Sequence, residues 1–240
     1  MAKLIKNTVS VDENNFEYAI KGSSSPSVIF INGAGGIMEG WSKIWGKWEL
    51  ENVLFSYNRL GIGKSTKPLE NQTGNIMARD LKDLLFSVKV EPPYILIGHS
   101  LGGLIAQLFA MTYPNEVIGI IFLESSTIKD VLTTSSTKKI KSPNQYSEVN
   151  QVLTTIQQIK EIGVFPNIPI VVIAGNKPAF RWIIPRKVKE ERMNNQKELS
   201  SLSDLGRVVV AHNSGHFPQL SQPKLVINEI RGLIEKLSDE

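Results

Sequence analysis

Short runs of Val, Ile, Leu and Phe recur along the 240-residue chain, and amphipathic stretches separate several of them. The runs lie at 27–31, 53–57, 94–97, 118–123 and 168–174, with a last one at 207–211. Strands that are apolar on both faces belong to a parallel sheet covered by helices on each side. The helical spacing supplies that cover. Thr73 can cap a helix carrying Ile76, Met77, Leu81, Leu84 and Leu85. Leu101, Leu104, Ile105 and Leu108 form a second stripe, and the helix they mark ends near Tyr113-Pro114. Ser221 and Pro223 open a third, with Leu225, Val226, Ile230, Leu233 and Ile234 on one side. Residues 8–20 alternate around Asp12-Glu13-Asn14 and read as an antiparallel hairpin with Phe16, Tyr18 and Ile20 on one face. The expected architecture is one α/β domain over 1–240.

The stretch 125–166 breaks the alternation. It is polar, rich in Ser, Thr and Lys, and separates two core strands. Its second half has helical spacing through Val149, Val152, Ile156 and Ile159. Such a length is a surface crossover or a functional insertion. Because it leaves from the C-terminal end of a strand, where open sheets bind ligands, it is read as a lid.

Composition excludes several classes. The chain has no cysteine, hence no disulfide, thiolate metal site or cysteine nucleophile. The net charge of +4 is spread out, and its denser patches at 138–141 and 186–189 come without a nucleic-acid recognition motif. No stretch has the ~20 apolar residues that span a bilayer, and the first residues lack a secretory apolar core. A cytoplasmic protein with a small-molecule substrate, no nucleic-acid partner and no membrane span is expected. Two motifs mislead. Gly61-Ile62-Gly63-Lys64-Ser65-Thr66 resembles a phosphate loop, but Asn58 stands where its first glycine belongs. Gly33-Ala34-Gly35-Gly36-Ile37-Met38 resembles a dinucleotide fingerprint, but Met38 replaces its third glycine. His212 and His216 lack the helix and glutamate of a zinc motif. No cofactor or metal is expected.

Gly98-His99-Ser100-Leu101-Gly102 sits between a buried strand and a helix. A G-x-S-x-G in that setting is the sequence form of a nucleophile elbow, a sharp turn that lifts a serine hydroxyl above the sheet. A serine needs a base, and the base needs an orienting group. Of the three histidines, His99 lies inside the elbow and is read as packing. His216, in a glycine-hinged loop before the last helix, is the expected base; His212 is nearer the strand end.

With these motifs the chain resembles the α/β-hydrolase family over nearly its whole length. The resemblance runs from the hairpin through Asn32-Gly33-Ala34-Gly35-Gly36, Tyr57-Asn58-Arg59-Leu60-Gly61-Ile62-Gly63-Lys64-Ser65 and the elbow to Ser214-Gly215-His216-Phe217. It implies an α/β-hydrolase fold: a mostly parallel sheet with an N-terminal antiparallel hairpin, helices on both faces and a small lid. It implies an oxyanion hole made by the backbone N–H groups of Leu101 and Ala34. The family usually has His and Asp where this chain has Asn32 and Asn58. Many relatives place the triad acid after the penultimate strand, where this chain has Gly175-Asn176-Lys177-Pro178. Some place it one strand earlier, which selects Glu124, a carboxylate following four apolar residues. Asp204 and Asp130 are competitors.

The expected function is a serine hydrolase of the carboxylesterase type, with Ser100, His216 and Glu124 as triad. It would act on an ester, thioester or amide of a small to medium apolar acid. Cofactor-free haloperoxidase and carbon–carbon hydrolase chemistry use the same triad, and a non-catalytic ligand receptor uses the same fold. Trp41, Trp45 and Trp48 either line the entrance or pack the loop that bears them onto the core.

Overall fold

The computed structural model describes residues 4–137, 144–177 and 186–238. The basic patch at 138–141 lies outside them. Eight strands form one sheet in the order β1-β2-β4-β3-β5-β6-β7-β8. The hairpin is β1 (Lys6–Val11) and β2 (Asn14–Lys21), and β2 pairs antiparallel with β4 (Asn52–Tyr57). The remaining strands run parallel: β3 (Ser24–Ile31), β5 (Tyr94–His99), β6 (Val117–Leu123), β7 (Ile170–Gly175) and β8 (Gly206–Ala211). This is the α/β-hydrolase fold that the alternation and the resemblance led one to expect.

Alternate residues of the central strands feed two cores. On one face Ile29, Ile31, Leu96, Ile120, Phe122 and Val172 pack beneath α2 (Gly74–Ser87) and α3 (Leu101–Thr112). On the other, Val28, Phe30, Ile95, Ile97, Ile121 and Ile173 meet α8 (Pro223–Ser238) and α1 (Ser42–Trp45). Thr73 Oγ1 accepts from Ile76 N–H and starts α2. Trp41, Trp45 and Trp48 are buried in the second core, where the tilted rings of Phe30 and Trp41 lie with centroids 5.0 Å apart. They anchor the loop after β3, which settles the choice between packing and entrance.

Within the stretch 125–166 the described residues form α4 (Ile128–Thr137), a 3-10 turn at Glu148–Gln151 and α5 (Val152–Ile162). Ile156 and Ile159 of α5 cover Leu101, Leu104, Leu108 and Met111 of α3. Sequence spacing found α5 but neither α4 nor α6 (Arg186–Ser200). The reason is visible in α6, which has no continuous apolar stripe. It holds on through polar bonds: Gln196 Nε2–H to Ser125 O at 2.8 Å and Asn195 Nδ2–H to Asp130 Oδ1 at 2.6 Å. A four-residue helix α7 (Pro218–Ser221) precedes α8.

Candidate active site

Ser100 occupies the step from β5 to α3 with φ 51° and ψ −121°, a conformation L-residues rarely hold and one that costs on the order of 1–3 kcal/mol. The turn closes only because its neighbours lack side chains. A Cβ on Gly98 would stand 2.7 Å from Gly102 O, and one on Gly102 would strike the carbonyls of Ile31 and Asn32. The Ser100 carbonyl accepts from Gly103 N–H and Ser126 N–H, both at 3.0 Å. Because the peptide is planar and trans, these bonds also fix the direction of Leu101 N–H, which has no partner inside its own helix.

Glu124 takes the same place one strand over. His99 pairs with Leu123 in the sheet, so Ser100 and Glu124 emerge side by side. Glu124 also has a positive φ, 47°, and its side chain is buried. Oε1 accepts from Gly175 N–H at 2.5 Å. Oε2 faces His216 Nδ1 at 3.5 Å, long for a hydrogen bond, and pairs with the Arg192 guanidinium of α6. Asp130 engages Thr127 and Asn195, and Asp204 is exposed where the chain enters β8, at the opposite end of the strands from Ser100 and Glu124. His212 is exposed.

His216 rides on the loop after β8, tied to the end of β7 by Asn176 N–H to Ala211 O and Lys177 N–H to Ser214 O. Its carbonyl accepts from His99 Nε2–H at 2.7 Å, and the two imidazoles lie 4.9 Å apart. Burial pushes His99 down to about 4, so it stays neutral at ordinary pH. Burial, and then the positive charge of Arg192, lower His216 from its ordinary 6.5. The structure thus brings Glu124 and His216 together. It ties His216 to the elbow through His99, while no bond between Ser100 Oγ and the His216 ring is present among the described residues.

The loop after β3 lies against the elbow: a Cβ on Gly33 would come 3.0 Å from Ser100 Cβ. Gly36 N–H closes a turn onto Gly33 O at 3.1 Å, with Ala34 at its tip. Behind the turn sits buried Arg59. It donates to Asn32 O at 2.7 Å, to Gly33 O at 2.8 Å, and to both carboxylate oxygens of Glu148 at 2.5 and 2.9 Å. Glu148 Oε1 also accepts Gly35 N–H at 2.8 Å. Neither Glu148 nor Arg192 was singled out from the sequence; each meets its partner only through tertiary folding.

The two departures from the family pattern have local causes. Asn58 Oδ1 accepts Met38 N–H at 2.8 Å, while its amide donates to buried Glu17 at 2.7 Å. An aspartate there would face a second carboxylate. Asn32 donates to Tyr57 O at 3.3 Å and bridges β3 to β4.

Glu124 and His216 border a cavity of about 330 Å³, whose wall includes Ser125, Asp130, Arg192 and Asn195, with Val188 its one aliphatic member. No group of three or more His, Asp or Glu among the described residues could hold a metal ion. No helix there is long and apolar enough to cross a membrane.

A family model for the alpha/beta hydrolase fold matches residues 26–140. An uncharacterized Bacillus subtilis protein, YqjL, is 26% identical over 215 residues, covering 86% of this chain and 82% of its own. Alpha/beta hydrolase domain-containing protein 10 from mouse superposes with a TM-score of 0.72 at 20% identity, over 97% of this chain and 99% of its own. A serine hydrolase involved in carbazole degradation, the CarC enzyme, superposes with a TM-score of 0.67 at 16% identity, over 97% and 99%.

Proposed function

We propose that this chain, which has the α/β-hydrolase fold, is a serine hydrolase of that family that cleaves an ester, thioester or amide through an acyl-enzyme on Ser100. The observation that carries this reading is the pairing of Glu124 with His216 beside an elbow that holds Ser100 in a strained turn. Strain of this kind persists where the surroundings enforce it, and such positions cluster at functional sites.

Ser100 attacks the carbonyl while His216 removes its proton. Glu124 keeps the His216 proton on Nδ1, so that Nε2 is free to act, and stabilises the imidazolium that forms. The gap of 3.5 Å between Nδ1 and Glu124 Oε2 is of the size that tightens once substrate is bound. Leu101 N–H and Ala34 N–H receive the negative charge on the carbonyl oxygen; such pre-aimed donors are each worth about 10²–10³ in rate. His216 then protonates the leaving group, activates a water, and the acid is released.

The stretch 125–166 is proposed as the lid: its α5 covers α3, and its residues Ser125, Ser126 and Asp130 wall the cavity. The size of the cavity, about 330 Å³, supports a small to medium acyl group over a long hydrocarbon chain. A fluorophosphonate probe tests the proposal. Wild type labels and Ser100→Ala does not; folded wild type that fails to label overturns the enzyme reading and favours a ligand receptor on the same fold.

A further inference from the structure

Glu148 lies in the stretch between β6 and β7, yet its carboxylate is buried beneath the loop that follows β3. We infer that Glu148 and Arg59 form a clamp that aims the Ala34 N–H at the reacting carbonyl oxygen, making both of them positioning residues; this rests on the serine-hydrolase reading above.

The argument is one of peptide geometry. Ala34 N–H belongs to the same planar unit as Gly33 C=O, and in a trans peptide the two point in opposite directions. Gly33 O is held by Arg59 at 2.8 Å and by Gly36 N–H at 3.1 Å. The next peptide is held from its other end, because Gly35 N–H donates to Glu148 Oε1. The preceding one is held as well, through Asn32 O and Arg59. Three successive peptide planes are therefore tied to one buried ion pair, and the middle one carries the donor. The loop needs this support: Ala34 and Gly35 are exposed, and Gly35 has a φ of +63°. On the nucleophile side, Gly103 and Ser126 hold the Ser100 carbonyl and so direct Leu101 N–H. The two expected oxyanion donors are thus fixed by one device, a carbonyl pinned from behind.

The clamp also explains why a lid residue is buried here. Five charge-assisted bonds tie the guanidinium and the carboxylate to the loop and to each other, and the two between Arg59 and Glu148 are bidentate, which sets orientation as well as strength. Seating the 3-10 turn at Glu148–Gln151 completes the β3 loop. A chain with that turn displaced would keep its serine and histidine and lose its aim.

The test is kinetic. Glu148→Ala is expected to lower kcat between about 10- and 1000-fold while KM stays within about twofold. Affinity for a trifluoromethyl ketone, whose adduct places an oxyanion in the hole, is expected to fall by the same factor as kcat/KM. Removing one partner of a buried ion pair can unfold a protein, so the double variant Arg59→Met with Glu148→Met is measured too, since it leaves no unpaired charge. A folded double variant with wild-type kcat and ketone affinity overturns the clamp. Labelling of wild type on Ser100 reports separately on the hydrolase reading, so failure of one is distinct from failure of the other.

Discussion

Gly175 at the end of β7 donates its backbone N–H to Glu124 Oε1 on the neighbouring strand β6. The strand that carries the acid in many relatives here supplies only a main-chain donor. On the proposed assignment the triad carboxylate lies one strand closer to the nucleophile, and the Gly175 bond leaves Oε2 to His216 and Arg192.

Glu124→Ala is therefore expected to lower kcat/KM by about 10³–10⁴, with Glu124→Gln close behind because an amide can stabilise the wrong imidazole tautomer. Asp130→Ala and Asp204→Ala should stay near wild type. Steady-state rates on a chain-length series of nitrophenyl esters check this; a Glu124→Ala enzyme of wild-type activity removes the acid assignment.

The second expectation concerns pH. His216 acts as a base only when neutral, so kcat/KM rises with pH through its titration. Burial and the Arg192 charge lower His216, which puts that limb below 6.5. Among the described residues Glu124 and Arg192 lie nearest the ring, Asp130 and Glu191 line the same cavity, and neutral His99 stands behind it. Arg192→Gln removes a positive charge and leaves Glu124 to His216 alone; both changes raise the base, and the limb should move to higher pH. An unchanged limb in a pH–rate profile contradicts the assignment.

Asn58 and Glu17 should behave as a compensating pair. Asn58→Asp brings a second carboxylate to a buried one and is expected to cost about 1–3 kcal/mol near pH 8. Two adjacent carboxylates share a proton in acid, so the penalty fades as pH falls. Adding Glu17→Gln to Asn58→Asp should restore most of the loss. Thermal unfolding of the four proteins in a double-mutant cycle measures it, and independent, additive effects would refute the coupling.

Two buried groups should tilt stability in opposite directions with pH. His99 titrates at about 4 in the fold against 6.5 outside it. Its contribution is complete above 6.5 and is lost as pH falls toward 4, on the order of 3 kcal/mol. Burial raises Asp80 to about 6 from 3.8, so its contribution is complete below 3.8 and is lost as pH rises through 6, by a similar amount. His99→Gln should make Tm fall with pH between 4 and 6, and Asp80→Asn should make it rise, by roughly 5–10 °C in each case. Calorimetry across that window decides it; parallel curves for the two variants would contradict both assignments.

The parts of this fold that could be read from sequence are those set by local periodicity. The central strands are apolar on both faces, and α2, α3 and α8 carry clean stripes, so their burial follows from spacing. Ser100 was legible because a tight turn demands glycine on both sides. Glu124 stood out as a carboxylate placed straight after an apolar strand, and the structure puts it beside His216. What escaped was held by charge and amide contacts across long separations. Helix α6 shows no stripe: buried Leu199 and the polar contacts of Asn195, Gln196 and Arg192 fasten it instead. Glu148 looked like any polar residue in a polar segment until folding set it against Arg59. Asn58, where the resemblance leads one to expect aspartate, donates its amide to buried Glu17, a bond that a carboxylate could not make.

If Glu124 is the acid, as proposed, its place after β6 rather than β7 has an evolutionary consequence. A carboxylate at a turn must be kept in kind and reach, whereas a main-chain N–H is offered by every residue except proline. Gly175 itself is confined, because a Cβ there would strike the Gly215 carbonyl. Asn176 and Lys177 beyond it need conserve only their backbone path. That corner should tolerate substitution and drift among descendants of this chain far more freely than in relatives that keep their acid there.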